Sequence, residues 1–149
     1  MSAALHLAKP QDLEKLMPLV MAFHNEMGLG TEETTLERAL IPLLDGSPYG
    51  AVYLMGPARA PMGYVVLTFS WSLELGGMDG FIDEIYLRPA VRGRGIALET
   101  LHSLRKTMKS AGVMALHLEV DREDETAQKL YRRARFELRE RYSLMTLML

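Results

Sequence analysis

Asp83 and Glu84 are adjacent carboxylates in the stretch "FIDEIYLRPAVRGRGIA", which runs on into a loop of two arginines and two glycines, Arg92, Gly93, Arg94 and Gly95. A carboxylate can accept the proton of an ammonium group, directly or through water, and can attract a cationic amine before any reaction. A glycine loop that enters a helix offers something different. The amides of the first helical turn have no intrahelical acceptor and lie at the positive end of the helix dipole, so an anion is well placed against them. Gly93 and Gly95 let a phosphate approach the backbone without a Cβ in the way, and Arg92 and Arg94 add charge. A Walker loop is excluded because no Gly-Lys-Ser/Thr follows, and a dinucleotide fingerprint fails because Leu98 stands where a third small residue is required. Bland readings stand beside these: the glycines can serve only as a tight turn, and the two carboxylates can be solvated charges or partners of Arg88 or Arg92.

The elements that must position these residues follow from periodicity. After a short apolar start at Ala4–Leu7, apolar residues at Leu13, Leu16, Met17, Val20, Phe23 and Met27 predict a helix that Gly28 and Gly30 stop, with a kink expected near Pro18. A second helix is expected over Thr35–Leu44. Two strands, Tyr49–Met55 and Met62–Trp71, read as a hairpin across the turn "GPARAP". The turn "LELGGMDG" precedes a strand over Phe81–Leu87, a long helix over Gly95–Ser110, and a strand over Val113–Val120. A strand, crossover helix and strand in this order favour a parallel pair. A helix over Thr126–Ala134 and two closing strands, Phe136–Arg141 and Tyr142–Leu149, complete the order β-α-α-β-β-β-α-β-α-β-β. The expected fold is α/β (α+β), a mixed sheet with helices on its faces.

Composition narrows the function classes. The 149 residues suit a single domain over 1–149 with a real core, and 48% hydrophobic with 24% charged residues is a globular balance. A formal net charge of -2 gives no bulk argument for nucleic acid or an anionic membrane as partner, and no apolar stretch approaches the roughly 20 residues of a membrane span. A cytoplasmic protein is the expectation, since no basic region followed by an apolar run opens the chain. No cysteine is present, which removes disulfides, thiolate metal sites and a covalent cysteine intermediate. His6, His24, His102 and His117 show no metal-ligand spacing, so no metal is expected.

The loop fits R-x-x-G-x-[GA] through Arg92, Gly95 and Ala97, and "ETAQKLYRRARF" fits A-x-x-L-Y-x-x-x-G-F through Ala127, Leu130, Tyr131 and Phe136. In these residues and in its element order the chain resembles the GNAT superfamily of N-acetyltransferases. Arg135 stands where that pattern has Gly, implying a different turn, and Asp124 where it often has Asn. The resemblance implies a mostly antiparallel sheet of six to seven strands with a splayed parallel pair and about four helices, and acetyl-CoA as the cofactor. It also implies a pyrophosphate held along Arg92, Gly93, Arg94, Gly95, Ile96, Ala97 and Leu98, a further contact at Asp124, and a pantetheine arm bonded to the main chain of Ile85, Tyr86 and Leu87.

By the same resemblance Tyr131 is the general acid, against the plainer reading of a ring packed on the sheet. Strand alternation lets only one of Asp83 and Glu84 line the cleft. Asp83 shares parity with Phe81, Ile85 and Leu87 and lies where the family often places a catalytic group, so it is favoured over Glu84, although a bulge would reverse the parity. "IDEIYL" and "TFSWS" are similar to segments of diamine and polyamine acetyltransferases, and acidic residues at the mouth suit a small cationic amine. A peptide or protein acetyltransferase and a non-catalytic acyl-CoA sensor are the alternatives. The final segment "RYSLMTLML" is apolar enough to pair with another subunit, so a homodimer is also an option.

Overall fold

The computed structural model describes residues 4–149. Strand β1 (Leu5–Leu7) leads through a 3₁₀ turn into helices α1 (Leu13–Glu26) and α2 (Glu33–Leu44). Strands β2 (Gly50–Met55), β3 (Gly63–Ser72) and β4 (Gly77–Leu87) follow, then α3 (Ile96–Ser110), β5 (Leu116–Leu118) and α4 (Glu125–Arg133). The sheet order is β1-β2-β3-β4-β5, antiparallel except for the parallel β4–β5 pair.

Alternation along the strands splits the core into two layers. On one face Val52, Leu54, Tyr64, Val66 and Tyr86 pack under α1 and α2, which bury Leu16, Leu19, Val20, Leu36 and Leu40 against them. On the other face Met55, Val65, Leu67, Ile82 and Leu87 pack under Ile96, Leu101, Leu104 and Met108 of α3, with Leu130 and Tyr131 of α4 beside them. Pro18 does not end α1, which runs on through it to Glu26.

Three expectations are corrected. β4 begins at Gly77 rather than Phe81, because Met78, Asp79 and Gly80 continue the ladder with β3. The strand expected over Val113–Val120 is regular only over Leu116–Leu118: Met114 and Ala115 lead into it with single bonds to Met78 and Gly80 of β4, and beyond Leu118 the two strands part. Neither Phe136–Arg141 nor Tyr142–Leu149 is a strand, so among the described residues the sheet has five strands and not six or seven. Their composition favours extended backbone, but a strand requires a hydrogen-bonded neighbour, and within this chain they have none among the described residues.

Candidate functional site

One irregularity in β4 arranges the carboxylates. Val66 lies opposite Glu84 while the next residue, Leu67, lies opposite Ile82, so Asp83 is an extra residue with no partner on β3. This is a β-bulge, and it reverses the parity of everything beyond it. Ile82, Ile85 and Leu87 therefore share the α3 face, whereas Glu84 and Tyr86 face α1. The expectation that Asp83 shares a face with Ile85 and Leu87 gives way to this geometry: Asp83 projects exposed from the bulge.

Glu84 is fixed in place. Its Oε1 accepts a hydrogen bond of 2.7 Å from the Tyr64 hydroxyl, and its Oε2 lies 2.7 Å from Nε2 of His24. Nδ1 of His24 lies 2.8 Å from Oγ1 of Thr31, so in a neutral ring that donates to the carboxylate, the Thr31 hydroxyl donates to Nδ1. Phe23 closes the group edge-on, with ring centroids 5.7 Å from His24, 6.4 Å from Tyr64 and 6.1 Å from Tyr86. Burial, and then the hydrogen bond to Glu84, pushes the Tyr64 phenol far above its ordinary range, so it remains a donor. Tyr64 and His24 were not singled out from sequence as site residues. For His24 a trace exists, since it continues the buried Leu16–Val20 stripe of α1 one turn on.

The strands separate at the same place. Parallel pairing runs through Gly80–Leu116, Phe81–His117 and Ile82–Leu118 and stops there. From Asp83 to Leu87 the edge of β4 that faced β5 has no strand neighbour among the described residues. Buried main-chain groups of this kind require partners, and a ligand laid along the edge can supply them. Of the three residues expected to hold such a ligand, Ile85 is half-buried and Tyr86 and Leu87 are buried, and the Leu87 carbonyl accepts from Nε of Arg92 at 2.9 Å.

At the end of that opened edge lies the glycine loop. Gly93 and Gly95 have φ of +77° and +79°, a left-handed conformation that favours glycine. Gly95 caps α3 without a side-chain hydrogen bond, and the amides of Gly95, Ile96, Ala97 and Leu98 donate to no acceptor among the described residues. Space above both glycines is open, with no atom within 4 Å of where a Cβ would stand. A diphosphate fits this cradle of free donors. Arg92 is engaged elsewhere: its guanidinium grips Glu26 through two bonds of 2.7 and 2.8 Å and lies over the Tyr86 ring, 5.4 Å from the centroid. The hydrogen bond to Arg92 holds the Glu26 carboxyl below its ordinary value. Arg92 thus ties the loop to α1, while Arg94 is exposed.

Asp124 caps α4, accepting from the Ala127 amide at 3.0 Å. Tyr131 lies on the α3 face beside Phe136, and burial, assisted by the charge of Asp124, raises its phenol above the ordinary value. Arg135 adopts φ of +75°, so the turn after α4 keeps a glycine-like conformation despite the arginine, in place of the different turn expected. Further out, alternation from Ile82 puts Phe81 and Asp79 on the α1 face with Glu84. There Asp79 accepts from the Ser70 hydroxyl at 2.7 Å and lies 3.0 Å from Nε2 of His117.

Residues 13–136 match the profile of the acetyltransferase (GNAT) family. No curated relative matches the chain. Among solved structures, an integron cassette protein from the mobile metagenome of Cole Harbour Salt Marsh is 30% identical, with a TM-score of 0.85 over 97% of this chain and 90% of that one. A ribosomal-protein-alanine N-acetyltransferase from Brucella melitensis biovar Abortus 2308 is 19% identical, with a TM-score of 0.77 and 99% of each chain covered. A protein of Clostridium acetobutylicum described as a predicted acetyltransferase, solved with acetyl-CoA, is 16% identical, with a TM-score of 0.78 over 97% of this chain and 96% of that one.

Proposed function

The chain belongs to the GNAT acetyltransferase family and is an N-acetyltransferase, and we propose that it transfers the acetyl group of acetyl-CoA to a primary amine of a small cationic substrate. The observation that carries this reading is the junction of an unpaired β4 edge with a loop whose amides at Gly95, Ile96, Ala97 and Leu98 are free among the described residues. These amides would hold the pyrophosphate, with Arg94 beside them, and the main chain of Ile85, Tyr86 and Leu87 would hold the pantetheine arm. Bound there, acetyl-CoA supplies an activated thioester.

The chain's own groups do the rest. Glu84, half-buried and oriented by Tyr64 and His24, accepts the ammonium proton so that a neutral amine can attack. Asp83 at the bulge mouth and Asp79 further along draw the cation in and hold it. Tyr131 keeps its proton well into the alkaline range and serves as the acid at the departing group. Attack is direct within a ternary complex, since the chain has no cysteine to carry the acetyl group.

The test is thiol release from acetyl-CoA across polyamines, short diamines, amino acids, peptides and aminoglycosides, with coenzyme A binding measured by calorimetry. The reading expects turnover to be highest for small amines of more than one positive charge. Preference for a neutral peptide N-terminus would replace the acceptor assignment, and absence of coenzyme A binding would overturn the cradle.

A further inference from the structure

We propose that Thr31 is a positioning residue for Glu84 that acts through the ring of His24, an inference that rests on the reading of Glu84 as the base. The turn "MGLGT" closes α1. Gly28 and Gly30 have φ of +68° and +62°, and nothing lies within 4 Å of where a Cβ would stand on either, so backbone conformation and not crowding calls for glycine there. The amides of Met27, Gly28 and Leu29 donate back to the carbonyls of Phe23, Asn25 and His24, which folds the chain over the end of its own helix. From Asn25 to Thr35 every residue is exposed except Thr31. The side chain that this turn sends inward carries a hydroxyl, and it meets Nδ1 of His24 at 2.8 Å.

The chemistry of that contact follows from Glu84. A carboxylate only accepts, and its Oε1 is taken by the Tyr64 hydroxyl, so the 2.7 Å contact from Oε2 to His24 requires a hydrogen on Nε2. In a neutral imidazole this leaves Nδ1 a bare acceptor. His24 is buried, and its ring makes no side-chain hydrogen bond among the described residues besides these two. Phe23 packs edge-on against the ring but offers Nδ1 no donor.

Thr31 is therefore the group that satisfies Nδ1. A buried acceptor without a donor carries the cost of its lost hydration, and the ring escapes that cost by turning toward water, which breaks its contact with Oε2. Anchored at both nitrogens, the ring stays in one orientation and one tautomer, and so does the carboxylate that meets the amine. No hydrogen bond joins Thr31 to the loop at Gly93–Leu98 among the described residues, so its removal should change the rate of the reaction and not the hold on coenzyme A.

Thr31→Val keeps the branched shape of the side chain and removes the hydroxyl, whereas Thr31→Ser keeps the hydroxyl. NMR of the labelled imidazole nitrogens in the free protein, in mildly alkaline buffer, should show His24 of the wild type with Nε2 protonated and Nδ1 bare, each at one sharp position. In Thr31→Val these signals should broaden or average, and in Thr31→Ser they should return. In thiol release with the amine that the wild type turns over fastest, Thr31→Val should lower kcat by about tenfold, the scale of one hydrogen bond, with coenzyme A binding unchanged in calorimetry and with Thr31→Ser recovering most of the rate. Gly30→Ala strains the turn at φ of +62° without altering either partner and should lower kcat in the same way. Beside His24→Gln, Thr31→Val should cost nothing further, because the ring through which it acts is gone. Ring signals unaltered in Thr31→Val, a loss that Thr31→Ser does not recover, or a full second loss beside His24→Gln would overturn the inference. A ring that loses its order while kcat holds would overturn the reading of Glu84 as the base, and this inference with it.

Discussion

Replacing Glu84 by Gln, beside Asp83 by Asn, separates two carboxylates of which regular strand alternation favours Asp83 and the bulged geometry favours Glu84. Glu84 accepts two charge-assisted hydrogen bonds, each 2.7 Å, from Tyr64 and His24. Such bonds contribute about 1.5–3 kcal/mol apiece, against about 0.5–1.5 kcal/mol for neutral ones. The amide of the Glu84→Gln variant keeps an oxygen for the Tyr64 hydroxyl and can offer its N–H to a His24 tautomer with Nε2 free. The loss is therefore about 1–1.5 kcal/mol per bond, or roughly 2–3 kcal/mol in all, which at about 2–4 °C per kcal/mol lowers Tm by about 4–12 °C. The fold should survive this, so activity is measurable well below the melt. If Glu84 takes the ammonium proton, kcat falls by about 10²–10⁴-fold, the usual contribution of general base catalysis. Asp83→Asn removes an exposed side chain that makes no hydrogen bond among the described residues, so Tm should move little and kcat by about twofold, with any larger effect confined to KM for a cationic acceptor. The assay is thiol release at saturating acetyl-CoA together with a thermal melt of each variant. Full kcat in Glu84→Gln, or a collapse of kcat in Asp83→Asn alone, would refute the assignment.

Tyr131→Phe should reduce kcat by about 10²-fold or more while leaving Tm nearly unchanged, because the hydroxyl makes no hydrogen bond among the described residues; a melt shift with unchanged kcat would mean that it only packs. Gly95→Ala places a Cβ at φ of +79° and should cost about 1–2 kcal/mol as well as weakening coenzyme A in calorimetry. Arg135→Gly, relieving φ of +75°, should be neutral or stabilising by up to about 1 kcal/mol in urea, and a clear destabilisation would show that the arginine makes a contact that offsets the strain. Hydrogen bonding from Ser70, then His117, holds the Asp79 carboxyl below its ordinary 3.8. A depressed folded value stabilises above the unfolded one and is lost as pH falls through the folded one. Asp79→Asn should therefore be less stable than wild type at pH 7, the gap should begin to close as pH approaches 3.8, and the two should become equal only below the depressed folded value. A deficit that persists in acid would mean that the aspartate stabilises through something other than its charge.

The helices, the β2–β3 hairpin and the loop entering α3 were legible because each is written in local periodicity and glycine placement. What escaped was set by distant partners. Nothing near Glu84 announces Tyr64 or a histidine sixty residues upstream, and nothing near Arg92 shows that its guanidinium reaches back to Glu26 on α1 rather than toward a phosphate. The residues at 142–149 are β-forming and apolar, which is why a closing strand is expected there. Whether such a segment is a strand depends on an edge to bond with, which local sequence does not encode.

The bulge at Asp83 joins these observations into one account. If the same residues alternated regularly past Ile82, Glu84 would fall on the face buried under α3, where a carboxylate has no partner and its desolvation is costly. With the bulge, Glu84 turns toward His24 and Tyr64, and Asp83 is left exposed at the mouth. The last β4–β5 pair, Ile82–Leu118, immediately precedes the same residue, so the extra residue that re-aims the base also lies where the ladder ends and the cleft opens. Deleting Asp83 separates these two roles. Ile82 and Glu84 would then be consecutive in a regular ladder, with Glu84 still opposite Val66 and still facing His24 and Tyr64, but the local bend of a bulged strand would be gone. A straightened β4 can continue its pairing with β5 and close the edge from Ile85 to Leu87, so coenzyme A should bind at least about tenfold more weakly in calorimetry, or about 1.4 kcal/mol. A folded deletion variant that held coenzyme A as tightly as the full chain would show that the opening of the strands does not depend on the bulge.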